Sequence, residues 1–158
     1  MRSWSGLAAL ALVAGCSSIT GTGPAPSPAP TAHQALGDAA PSAAPTLVSE
    51  AGFRTPSGNI GCYLTRSQVR CDIAAKAWTP PSRPADCELD YGSGLTLGRE
   101  VSFVCAGDTV LGARQTLSYG SAIQSGDVRC DSGETALRCA NVATNHGFTL
   151  AREQYHFW

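Results

Sequence analysis

Cysteine is the residue type with the most chemistry to offer in this chain of 158 residues, which holds seven of them. Six, Cys62, Cys71, Cys87, Cys105, Cys130 and Cys139, fall in its C-terminal part, and the seventh, Cys16, ends a short apolar run. Nucleophilic catalysis, zinc ligation and disulfide formation compete for the six. Their spacing separates these uses. Ser57-Gly58-Asn59-Ile60-Gly61-Cys62 is followed by eight residues and Cys71; Ser125-Gly126-Asp127-Val128-Arg129-Cys130 is followed by eight residues and Cys139. Each second cysteine follows an apolar residue and an arginine, Val69-Arg70 and Leu137-Arg138. This is an internal repeat of the form S-G-[N/D]-[I/V]-x-C-x8-C.

Folded as a hairpin, each repeat sets its two cysteines opposite one another. The turn centres then fall between Arg66 and Ser67 and between Glu134 and Thr135, beside Gly133, and both are polar and turn-compatible. Opposed residues of an antiparallel pair are close enough for a disulfide. Six cysteines allow many pairings, and the repeat favours this one, with Cys87 and Cys105 joined by elimination. The wide spacings fit zinc poorly, and three bridges leave no thiol for a nucleophile.

Other residues offer weaker chemistry. His146, before Gly147, is of a residue type that can serve as a general base, but no motif supplies its nucleophile: Gly92-Ser93-Gly94 lacks the spacing of a nucleophile elbow. Asp86, Glu88 and Asp90 alternate like part of a calcium loop, yet Tyr91 stands where an EF-hand needs glycine and Leu97 where it needs glutamate. On a strand these carboxylates would line the wet face, with Cys87, Leu89 and Tyr91 inward. Trp78 and Trp158 are suited to bind a ligand or to cover the ends of a small barrel. Arg54, Arg70, Arg129, Arg138 and Arg152 would meet an anion if gathered on one face. Trp78, Arg70, Arg138 and His146 are therefore the candidate ligand contacts. No residue pattern implies a metal or cofactor. Lysine and arginine total 11 against 12 acidic residues, a net charge of -1, so nothing in the bulk charge favours nucleic acid.

The elements that position these residues read as follows. Arg2 and an apolar run over residues 6–14 have the layout of a secretory signal, too short to span a membrane. Val13-Ala14-Gly15-Cys16 resembles the bacterial lipobox, which implies cleavage after residue 15 and a lipid on Cys16. Residues 16–49, rich in Ala, Pro and Ser, form a disordered tether, and His33 is a solvated bystander within it. Residues 50–158 form one all-β, disulfide-stapled domain, a small sandwich or barrel. Strands are expected at 60–65, 69–74, 95–97 and 101–105, with a turn at 98–100. Further strands are expected at 110–111, at 113–119 with Gly112 as a bulge, and at 148–151. Residues 78–85, with three prolines, form a loop, and short helices are expected near 73–77 and 152–155.

The domain resembles a family of actinobacterial exported proteins and lipoproteins of unknown function. The resemblance rests on Phe53-Arg54-Thr55-Pro56-Ser57-Gly58-Asn59-Ile60-Gly61-Cys62, on Val69-Arg70-Cys71, on Leu117-Ser118-Tyr119-Gly120, and on His146-Gly147-Phe148-Thr149-Leu150-Ala151-Arg152. It implies a lineage and a disulfide-bonded domain, and carries no chemistry. The expectation for function is a membrane-anchored binding or structural module outside the cell. Its membrane contact is the lipid on Cys16, and its partner an envelope protein or cell-wall glycan. The alternative is an envelope hydrolase with a site near His146.

Overall fold

The computed structural model of the chain describes residues 43–158; the readings made for the signal, for Cys16, for His33 and for most of the tether lie outside them. Within the described residues the fold is all-β. Sheet B runs in the order β6-β5-β4-β3-β2-β7 and sheet A in the order β1-β8-β9-β10-β11-β12. The strands of sheet B are β2 (Ala51–Arg54), β3 (Ile60–Leu64), β4 (Val69–Ile73), β5 (Tyr91–Leu97), β6 (Val101–Cys105) and β7 (Gln115–Thr116). Those of sheet A are β1 (Thr46–Leu47), β8 (Ala122–Ser125), β9 (Val128–Ser132), β10 (Leu137–Asn141), β11 (Gly147–Leu150) and β12 (Tyr155–Phe157).

Two hairpins carry the repeat. The β3–β4 turn closes on Arg66 and Ser67 through a Thr65 N–H to Gln68 carbonyl bond of 2.8 Å. The β9–β10 turn closes on Glu134 and Thr135 through a Gly133 N–H to Ala136 carbonyl bond of 3.0 Å. Counting back from each turn, bonded and non-bonded pairs alternate, and Cys62 faces Cys71 and Cys130 faces Cys139 at non-hydrogen-bonded positions. Strands approach most closely there; the Cα atoms are 4.1 Å apart in both pairs, and both are disulfides. Cys87 and Cys105 form the third bridge. Closing loops this short contributes about 3 kcal/mol each if chain entropy is the main effect.

Period-two alternation sends the cystines into the core. Ile60, Cys62 and Leu64 on β3 and Val69, Cys71 and Ile73 on β4 are buried with Leu95 and Leu97 of β5. Val128 and Cys130, Leu137 and Cys139, and Phe148 and Leu150 do the same for sheet A, and all join one apolar cluster with Phe53 and Ile123. Each such large side chain contributes roughly 1.5–3 kcal/mol on burial.

The two sheets are built alike. Strands β2 to β6 form an antiparallel meander with its cystine hairpin at β3–β4; strands β8 to β12 repeat it with the hairpin at β9–β10. The short first strand of each half crosses to the other sheet: β1 pairs in parallel with β8, and β7 in parallel with β2. The matching bonds are Val48 N–H to the Gln124 carbonyl at 3.0 Å and Leu117 N–H to the Arg54 carbonyl at 2.9 Å.

Several elements differ from the expectation. Strand β1 lies upstream of residue 50, in the segment whose composition reads as tether. No helix forms near 73–77 or 152–155. Residues 74–77 are held irregular, with Ala74 N–H bonded to the Asn59 carbonyl and Ala77 N–H to the Arg152 carbonyl, and residues 151–154 are the turn into β12. Of the strands expected at 110–111 and 113–119, only Gln115–Thr116 forms. Residues 106–113 instead lie over sheet B, for a reason given below. Leu89 does not point inward: it is exposed, and the segment before β5 is not a strand.

One glycine tests the contact between the halves. Gly126 has φ +54°, and a β-carbon there would come within 2.5 Å of the Arg66 carbonyl at the tip of the β3–β4 hairpin. Gly126→Ala is expected to cost about 1–3 kcal/mol in chemical denaturation. Gly112→Ala, which meets open space, should cost less than about 0.5 kcal/mol.

Candidate functional site

Arginine and aspartate two residues apart on a strand share a face. The tetrapeptide V-R-C-D occurs twice, at 69–72 and 128–131, and both times the Arg and Asp pair on the face opposite the core. On β4 the Asp72 carboxylate, 1% exposed, accepts bonds from Arg70 Nε at 3.0 Å and Nη2 at 2.9 Å. It also accepts from Thr109 Oγ1 at 2.9 Å and from the Val110 N–H at 3.0 Å. Arg70 continues to the Asp108 carboxylate and carbonyl, each at 2.6 Å. This network pulls residues 108–110 onto sheet B and prevents the strand expected there. Gly61 permits the approach, since a β-carbon would meet Leu111 Cα and the Val110 carbonyl at 2.7 Å. Hydrogen bonding to Asp72 raises the Arg70 pKa, and the Arg70 guanidinium holds the Asp108 carboxyl below its ordinary value. Arg70 is thus a structural tie and not a free anion contact.

Trp78 is also engaged. Its indole N–H donates to the Ala151 carbonyl at 2.9 Å. Its ring meets Tyr155 edge-on at 4.7 Å and Phe103 at 6.3 Å, with the Lys76 ammonium 5.2 Å from its centroid. Phe103 in turn touches Tyr91, Tyr155 and Phe157. These rings close the side of the sandwich between β6 and β12, so Trp78 is a lid.

The outer face of sheet A is different. Arg138 is in register with Asp131 on one side and Thr149 on the other, and Thr149 with His156. Arg129 holds Asp131 at 2.6 Å and donates to the Ala43 carbonyl at 2.6 Å; its pKa is raised, chiefly by the bond to Asp131. The Arg138 guanidinium lies instead over the Trp158 ring, 4.5 Å from its centroid. That ring packs against the backbone of residue 147, which only glycine permits: a β-carbon there would run into it. The His156 imidazole stacks beside it, 6.1 Å away and tilted by 22°. The exposed His146, set by the αL residue Asn145 (φ 59°), has Nδ1 3.3 Å from the Trp158 carbonyl. The result is a half-buried indole with an exposed guanidinium over it and one imidazole beside it, while His146 reaches only the Trp158 backbone carbonyl; the guanidinium is placed to contact an anion.

Of the four sequence candidates, sheet A brings His146 and Arg138 together around Trp158, while Arg70 sits on the other sheet and Trp78 in the lid. Asp86, Glu88 and Asp90 are exposed before β5. Among the described residues no group of three or more His, Cys, Asp or Glu side chains could hold a metal ion. Sequence reasoning missed Asp72, Asp108 and the central role of Trp158. The repeated V-R-C-D was the available signal for the ties; only the fold places Trp158 over Gly147.

A family of unknown function, DUF6636, matches residues 34–157. No curated protein and no solved structure matches the chain.

The tie on sheet B has measurable consequences. Asp72→Ala leaves Arg70 half-paired and the loop amide of Val110 without its acceptor, and is expected to cost about 2–4 kcal/mol by denaturant unfolding. Because the folded-state pKa of Asp108 is lowered, its contribution is complete above the ordinary carboxylate pKa. It disappears as pH falls through the lowered value. Asp108→Asn should therefore flatten the acid limb of the stability profile and leave its slope near neutrality unchanged.

Proposed function

Because the chain belongs to this family of unknown function, membership brings no activity with it, and we propose from its own chemistry that it is a tethered binding module of the cell envelope. In this reading Cys16 carries the lipid, the Ala/Pro/Ser-rich segment spaces the domain from the membrane, and the sheet A face engages a cell-wall glycan bearing acidic groups. The observation that supports it is Trp158 with Arg138 above it and His156 beside it. An exposed guanidinium held in place over an indole is suited to the anionic substituent of a sugar. Rigidity supports it too: a face cross-linked from within by Cys130–Cys139 loses little freedom when a ligand arrives.

The tethering is tested by metabolic fatty-acid labelling: the parent chain takes up label and Cys16→Ser does not. Label retained by Cys16→Ser would contradict the anchor. Binding is tested by co-sedimentation of the Cys16→Ser chain with purified wall glycan. Trp158→Ala and Arg138→Ala should each weaken retention about tenfold, the scale of one cation–π or stacking contact. Unaltered retention in both variants would remove sheet A as the binding face, and no retention of the parent would contradict glycan binding altogether.

A further inference from the structure

The two halves of the sandwich are not equivalent at their hairpin tips. In the first half the β3–β4 tip abuts Gly126, whose two-residue turn, Gly126 and Asp127, joins β8 to β9; the Arg66 carbonyl leaves no room for a β-carbon there. The β9–β10 tip occupies the matching place in the second half. It faces the turn between β2 and β3, which spans four residues, 56–59, between Thr55 and Ile60. The longer turn holds the two apart, and a cavity of about 380 Å³ opens between the sheets at this end.

The cavity is built and not merely left over. Asn59 fixes its wall by bonding the Ala75 backbone twice, at 2.9 Å from Nδ2 and 2.8 Å to Oδ1. The Arg152 carbonyl is held by the Ala77 N–H at 2.7 Å. Its floor includes the buried core residues Ile60, Leu137 and Leu150. The exposed Ser57 hydroxyl is held at 3.0 Å by the buried Thr55 Oγ1, which is itself engaged with the Ile60 backbone. Tyr119 stands 41% exposed at the mouth. Glu134 comes from the hairpin tip, and Arg152 and Glu153 from the β11–β12 turn, so carboxylates outnumber guanidinium at the rim.

We infer that this open end of the duplicated sandwich is a second binding site, distinct from the sheet A face, which takes an amino sugar with a free ammonium group. The apolar floor and Tyr119 accept the face of a pyranose, the Ser57 hydroxyl bonds one of its hydroxyls, and Glu134 with Glu153 hold the ammonium. The volume lies in the range of small-ligand pockets, with room for a mono- or disaccharide.

Glucosamine is the probe, titrated into the isotope-labelled Cys16→Ser chain and followed by amide chemical shifts. Shifts are expected at residues 57–60 and 133–136, with binding about fivefold weaker for N-acetylglucosamine, which lacks the charge, and for Glu134→Gln or Glu153→Gln. Ser57→Trp should fill the cavity and abolish the shifts while the melting temperature stays within about 2 °C. Trp158→Ala should leave them unchanged, which separates this site from the sheet A face. Absence of shifts at millimolar glucosamine, equal binding of the N-acetyl form, or shifts confined to sheet A would each overturn the inference.

Discussion

The structure depends on one geometric constraint, a cystine across a non-hydrogen-bonded pair in each sheet. Because side chains alternate with period two, a slip of one residue would turn every core residue of a strand toward water. The bridges Cys62–Cys71 and Cys130–Cys139 forbid that slip. They fix Ile60, Leu64, Val69 and Ile73 inward on one sheet and Val128 and Leu137 inward on the other. By the same register they fix Arg70, Asp72, Arg129, Asp131 and Arg138 on the outer faces. The core and the surface chemistry therefore share a single origin.

Duplication explains the rest of the architecture and its asymmetries. Each half lends its first short strand to the opposite sheet, so neither meander is complete without the other. Yet the outer faces have diverged. Sheet B is covered by a loop that Asp72 and Arg70 hold down, whereas sheet A carries Trp158, made possible by Gly147. The ends have diverged as well, one closed by Gly126 against Arg66 and one held open by a turn two residues longer. These departures from symmetry are where recognition is proposed to occur.

Much of this was legible in the sequence because it was local. The repeated S-G-[N/D]-[I/V]-x-C-x8-C fixed both hairpins and both turn centres, and the even cysteine count pointed to three bridges. What was not legible depended on partners distant in sequence. The segment 110–119 has strand-forming residues, but the Asp72 carboxylate captures Val110 and Thr109 and redirects the chain. Strands β2 and β8 are four residues long and β1 and β7 only two, too short to display a period. Arg70 and Arg138 occupy like positions in the repeat, which points to a shared face, yet each half builds its own sheet. Trp158 at the chain's end gave no sign that it lies over residue 147. Alternation predicts Leu89 inward only for a strand, and the chain before β5 is not one.

Since the whole account rests on the cystine register, non-reducing proteolysis with mass mapping of the bridged peptides tests it most directly. The account predicts Cys62 joined to Cys71, Cys87 to Cys105 and Cys130 to Cys139. Any bridge linking the first repeat to the second, or a free thiol at one of these six positions in the oxidised protein, would contradict it.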